Sequence, residues 1–112
     1  MPIKPLMGLT EQWFTPEQEQ GEATPTQFKI KPLDSLTFLD VMSNGTIRAD
    51  GSFIPNRAGR EMLLNAGLVG WRNFGDAPFD ANRISQIPPN VLAEICNEIV
   101  VLSNLSEDDE KN

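Results

Sequence analysis

Nine prolines and eight glycines punctuate this 112-residue chain into short elements, and that punctuation limits its fold more than any other feature. Proline lacks a backbone donor and glycine loosens the backbone, so neither belongs in the interior of a long regular element. One segment escapes. After Pro88-Pro89, the residues Val91, Leu92, Ile95, Ile99 and Leu102 recur at three- and four-residue steps. That spacing predicts a helix from about Pro89 to Leu105, opened by a proline where the first turn tolerates one. From Ser106 onward the chain is polar and is expected to fray.

Shorter elements fill the rest. Thr26-Gln27-Phe28-Lys29-Ile30-Lys31 alternates with a period of two, which indicates a half-buried strand. Glu11 to Thr15 reads as a second strand, and the two are expected to pair as an antiparallel hairpin. Between them Glu17 to Glu22 is too polar to bury and reads as a turn or loop. After Pro32, Asp34 is placed to cap a short helix whose apolar stripe is Leu36, Leu39 and Met42, with Phe38 and Val41 beside it. Asn44-Gly45 supplies a left-handed stop. Asp50-Gly51 then reads as a two-residue hairpin turn between Thr46–Ala49 and Ser52–Ile54. Asn56 caps a helix from Arg57 to about Ala66, with Met62, Leu63 and Leu64 as its apolar side and Gly67 as its stop. Leu68 to Gly75 reads as an apolar connector, and Asp80 caps a short turn of helix through Ile84 and Ile87.

The fold class is therefore α+β: two short antiparallel hairpins packed with three main helices, the longest at the C-terminus. Three regions follow: an N-terminal strand and polar loop over 1–25, a globular core over 26–105, and an acidic flexible tail over 106–112. A chain of this length buries roughly 65% of its unfolded surface, enough for a core without metals or disulfides.

Charge and composition narrow the function. There is no histidine, which removes the commonest acid–base residue and metal ligand, and a single cysteine, Cys96, cannot form an internal disulfide or a zinc site. Serine or cysteine nucleophiles lack a base, and Gly67, Gly70 and Gly75 match no phosphate-binding spacing. The carboxylate pair Asp76 and Asp80 reads as solvated loop and cap. With Asn82 it lacks the glycine and the distal glutamate of a calcium loop. Glu94 and Glu98 lie opposite the apolar stripe of their helix. No catalytic residue, metal or cofactor is expected, and the chain is not expected to be an enzyme. The net charge is −7, but residues 107–112 hold four of the sixteen acids, leaving 12 acids and 8 bases elsewhere. No basic run offers a track for nucleic acid or an anchor for anionic lipid, and no apolar stretch approaches a membrane span. The first residues lack the apolar core of a signal peptide, so a cytoplasmic location is expected.

Binding is the remaining clue. Trp13, Phe14, Trp71, Phe74 and Phe79 fall in loops or element edges, where aromatics serve interfaces as well as cores. Trp71 either plugs a core built on the last helix or faces a partner. Val100 and Val101 widen the stripe of that helix beyond one face, which points to a partner or a homo-oligomer. The candidate protein-interaction residues are accordingly Trp71, Phe74, Ile95, Ile99 and Leu102.

Four segments also carry a family resemblance. Gly67-Leu68-Val69-Gly70-Trp71-Arg72-Asn73 resembles a segment of small tail assembly chaperones and related tail-assembly proteins of tailed bacteriophages. Ile84-Ser85-Gln86-Ile87-Pro88 resembles their lead into a helix. Leu102 to Asn112 resembles the serine–leucine–acidic–Lys-Asn ending of that helix, and Phe28 to Met42 their opening strand and helix. The resemblance spans roughly residues 28–112, and the polar loop at 17–25 lies outside it. It implies a non-catalytic protein of the host bacterial cytoplasm. Such a protein binds the tape measure protein and helps recruit tail tube subunits, and in many phages it also exists in a longer, frameshifted form. Two other readings stay open: a small head–tail joining or minor tail protein retained in the virion, and an acidic DNA-mimic inhibitor.

Overall fold

A computed structural model describes residues 10–75 and 78–111. Two antiparallel sheets and three helices form an α+β fold. β1 (Gln12–Phe14) and β2 (Gln27–Ile30) make the expected hairpin, with Trp13 opposite Lys29 and Phe14 opposite Phe28. α1 (Ser35–Met42) follows, then the hairpin β3 (Gly45–Ile47) and β4 (Phe53–Pro55), then α2 (Arg57–Gly67). β5 (Leu68–Arg72) returns to pair with β2, so the first sheet has three strands in the order β1-β2-β5. A 3-10 turn at Ala81–Gln86 leads into α3 (Pro89–Lys111).

The caps act as their chemistry requires. Asp34 accepts a hydrogen bond from the Thr37 backbone N–H, Asn56 from that of Gly59, and Asp80 from that of Asn82. The bonds from Thr37, its backbone N–H first, hold the Asp34 carboxyl below the ordinary carboxylate range.

Five readings of the sequence are corrected. Within the expected connector Leu68–Gly75, Leu68–Arg72 is a strand, with Leu68 and Trp71 on the inner side of the sheet against β2. A bulge at Lys29/Ile30 pairs Ile30 with Leu68 and Phe28 with Trp71. On α1 the inward stripe is Phe38, Val41 and Met42, with Val41 fully buried, while Leu36 and Leu39 are exposed at 77% and 60%. Both triplets have helical spacing; an eight-residue helix can turn only one of them inward, and α2 and the hairpin decide which. Gly45 opens β3 instead of stopping α1 in a left-handed turn, and Ser43 caps the helix in ordinary helical conformation. The turn of the second hairpin is longer than two residues: the Arg48 N–H bonds the Ser52 carbonyl and the Gly51 N–H bonds the Arg48 carbonyl. Gly51 takes the left-handed conformation that closes such a turn, at φ 88°. Finally, α3 does not end at Leu105 but runs helical through Lys111, so the backbone of most of the expected tail is helix.

One core joins these parts. Phe28 and Ile30 from β2, Leu63 from α2, and Ile95 and Ile99 from α3 are each essentially fully buried. Each such side chain contributes roughly 1.5–3 kcal/mol relative to exposure. Gly67 lets α2 and α3 touch: a Cβ there would stand 2.7 Å from Ile99 Cγ2. Its backbone is not left-handed, so closeness of packing, not helix termination, demands glycine. Ser103, a buried polar side chain of α3, accepts the Leu33 N–H at 2.9 Å and donates to the Ile99 carbonyl at 2.8 Å. That pair of bonds ties the chain after β2 to the far part of α3.

Candidate protein-interaction surface

The residues singled out for binding are mostly interior. Ile95 and Ile99 are fully buried, Trp71 and Leu102 are buried, and only Phe74 is half-buried. They come together, but as the core of this chain and not as a face open to a partner. The reason is local. β5 turns Trp71 onto the inner side of the sheet, where its ring packs edge-on against Phe28 at 6.4 Å, Phe74 at 5.1 Å and Phe79 at 4.8 Å. Asn73, in left-handed conformation at φ 57°, reverses the chain just after β5 so that Phe74 can reach this cluster. Its side chain donates to the Pro25 carbonyl, and its own carbonyl accepts the Thr26 hydroxyl. The motif Trp71-Arg72-Asn73 thus builds an aromatic box that pins the loop before α3.

The polar stretch at 17–22 is also less free than its composition implies. Glu17–Glu19 forms a 3-10 turn seated beside α3. The Glu17 backbone N–H donates to Glu94 Oε2 at 3.0 Å, Asn90 donates to Gln18 Oε1 at 3.0 Å, and Glu19 accepts the Thr26 N–H. An apolar cleft of about 90 Å³ lies under this turn, between Pro16, Phe28, Phe74 and Val91. A more open polar cleft of about 370 Å³ carries Glu17, Glu94 and Glu98 on its rim.

Chemistry is sparse at both. Among the described residues no group of three or more metal-ligating side chains comes together. Cys96 is buried, and burial pushes its thiol up to about 11 against a weaker downward pull from Arg60, so it is held as the unreactive neutral form. Asp80 is occupied as a helix cap, and its proposed companion Asp76 lies outside the described residues.

What the sequence reading missed is the surface that is exposed. Among the described residues the large apolar side chains left in solvent are Leu36, Leu39, Ile47, Ile54, Trp13 and Val101. Four of these six belong to α1 and the β3–β4 hairpin, which pack on one another and on α2. The signal was present in α1, where five apolar residues in eight exceed what one face can bury. No described helix is long and apolar enough to cross a membrane. No family model, curated protein or solved structure matches the chain.

Proposed function

We propose that this chain is a non-catalytic assembly chaperone of the phage tail type, acting in the bacterial cytoplasm by binding the tape measure protein and helping recruit tail tube subunits. The observation that carries a protein-binding role is the concentration of Leu36, Leu39, Ile47 and Ile54 in solvent on one unit of the fold. Exposed apolar residues scattered singly need no explanation, whereas several on one small unit favour an interaction site. A net charge of −7 keeps a protein that carries such a surface soluble. The class of partner comes from the resemblance of residues 28–112 to tail-assembly proteins. The binding surface is thereby moved from the Trp71 and α3 residues to α1 and the hairpin.

The test is capture of tagged chain from cells producing the phage, beside a Leu36→Ser/Leu39→Ser variant. Both substitutions are at exposed positions, where stability changes stay within about 0.5 kcal/mol. Wild type is expected to recover a very long helical tail protein and a tube subunit, and the variant to lose both. Equal recovery by the two proteins overturns the assignment of the surface. Stoichiometric presence of the chain in purified virions overturns the chaperone role in favour of a retained component.

A further inference from the structure

The outer face of the β1-β2-β5 sheet has a different character from the α1–hairpin unit. Trp13, Lys29 and Gly70 form one row across it, because the register sets Trp13 opposite Lys29 and Lys29 opposite Gly70. Gly70 leaves the β5 end of the row without a side chain. Arg72, two residues further and on the same side of the strand, reaches back across the sheet and lays its guanidinium 4.0 Å from the Trp13 ring centroid. The Lys29 ammonium stands 5.6 Å from the same ring. Trp13 nonetheless stays 40% exposed.

This arrangement holds a binding group ready. Arg72 Nε donates to Gln27 Oε1 at 2.7 Å, which fixes the guanidinium plane, while its terminal nitrogens have no hydrogen-bond partner among the described residues. A planar fork of N–H groups, stacked on an indole and fixed at one edge, is matched to a carboxylate. Among the described residues the acid beside this row is Glu11, paired with Lys29 at 3.3 Å. Lys29 and Arg72 against Glu11 leave the row net positive on a chain whose net charge is −7.

The complementary group is in the same sequence. Glu107-Asp108-Asp109-Glu110 are consecutive acids on α3, past Ser103, whose hydroxyl is bound to Leu33. The body of α3 packs on the inner side of the sheet, where Ile95 and Ile99 share the core with Phe28 and Ile30, opposite the face that carries Trp13.

We propose that the Trp13–Lys29–Arg72 face docks the acidic stretch Glu107–Glu110 of a second copy of this chain. The contact is head-to-tail, so each added copy leaves one basic face and one acidic stretch open, and assembly continues into a ring or a filament. It uses none of the residues assigned to partner binding on α1 and the hairpin, and it stands whether or not that assignment holds.

Sedimentation of the full chain over a wide concentration range, at low and high salt, tests this with two charge reversals. One variant is Lys29→Glu/Arg72→Glu; the other is Glu107→Lys/Asp108→Lys/Asp109→Lys/Glu110→Lys. Wild type is expected to associate, more weakly as salt screens the contact. Each variant alone is expected to associate roughly tenfold or more weakly. Mixing the two is expected to restore association, which a merely misfolded variant cannot do. Association that survives both reversals overturns the proposal and locates self-contact elsewhere. A wild-type chain that stays monomeric at low salt overturns it too, including one that binds an acidic peptide or an oligonucleotide through Trp13 instead.

Discussion

Adding one methyl group at Gly67 probes the closest approach between α2 and α3. A Cβ at this position would stand 2.7 Å from Ile99 Cγ2, 2.8 Å from Cδ1 and 3.1 Å from Cγ1. Ile99 is fully buried and β-branched, so it has little freedom to withdraw. Overpacking of this kind costs about 1–3 kcal/mol. Against it stands the helical preference of alanine over glycine, up to about 1 kcal/mol and less at the last residue of a helix. Gly67→Ala should therefore destabilise by about 1–2 kcal/mol. The three obstructing atoms are the ones that Ile99→Ala deletes. That variant alone should cost about 2–5 kcal/mol through the cavity it leaves. In its background, however, the new methyl enters vacated space, and Gly67→Ala should stabilise by up to about 1 kcal/mol. The sign reversal amounts to roughly 2–3 kcal/mol of coupling, far above the additivity error of distant sites. Urea unfolding followed by tryptophan emission reads it directly, since 1 kcal/mol moves the midpoint by roughly 0.3–1 M. If Gly67→Ala is neutral or stabilising with Ile99 intact, the packing argument for this glycine is refuted.

Three further outcomes are expected. Ser103→Ala removes the acceptor of the buried Leu33 N–H, and it should cost about 1–3 kcal/mol by the same urea assay. Trp71→Ala empties the centre of the aromatic box and should cost about 3–5 kcal/mol, a large part of the stability of a small domain, visible as loss of near-ultraviolet dichroism well below the wild-type unfolding temperature. Cys96, with its thiol raised from 9.0 to about 11, should alkylate at pH 8 roughly a hundredfold more slowly in the folded chain than in urea. Because the fold favours the neutral thiol, its contribution to stability is complete below about pH 9 and is lost as the pH rises through about 11, which alkaline unfolding curves of wild type and Cys96→Ala should separate.

Local chemistry was legible in the sequence wherever one residue type decides the outcome. Asp34, Asn56 and Asp80 cap the elements they were expected to cap, and the period-two run over residues 26–31 is a strand with Phe28 and Ile30 inward. The heptad-like spacing of Val91, Ile95, Ile99 and Leu102 likewise marks the buried side of α3. Failure came where two readings were locally equivalent and a distant partner chose between them. Leu36-Leu39 and Phe38-Val41 are rival stripes on one short helix. Leu68–Arg72 became a strand because β2 offered it an open edge, and Gly67 before it and Gly70 within it hid that from a local reading. The candidate site suffered from the same blindness: residues apolar enough to suit an interface are apolar enough to be the core, and α3 buries them first.

The order of the first sheet has a topological consequence. Everything from Lys31 to Gly67 is an excursion between two strands that lie side by side, and its neck is closed by a hydrogen bond from the Lys31 N–H to the Gly67 carbonyl at 2.9 Å. Once β2 and β5 have met, the entropy of closing that loop has already been spent, and lengthening or shortening the excursion changes it only logarithmically. The β3–β4 hairpin, which puts no fully buried residue into the core shared with α3, can therefore exchange its amides or change in length while the sheet and α3 stay assembled. The surface at Ile47 and Ile54 is free to diverge with its partner, because the residues of the excursion that are fixed to α3, Leu33, Leu63 and Gly67, lie outside the hairpin.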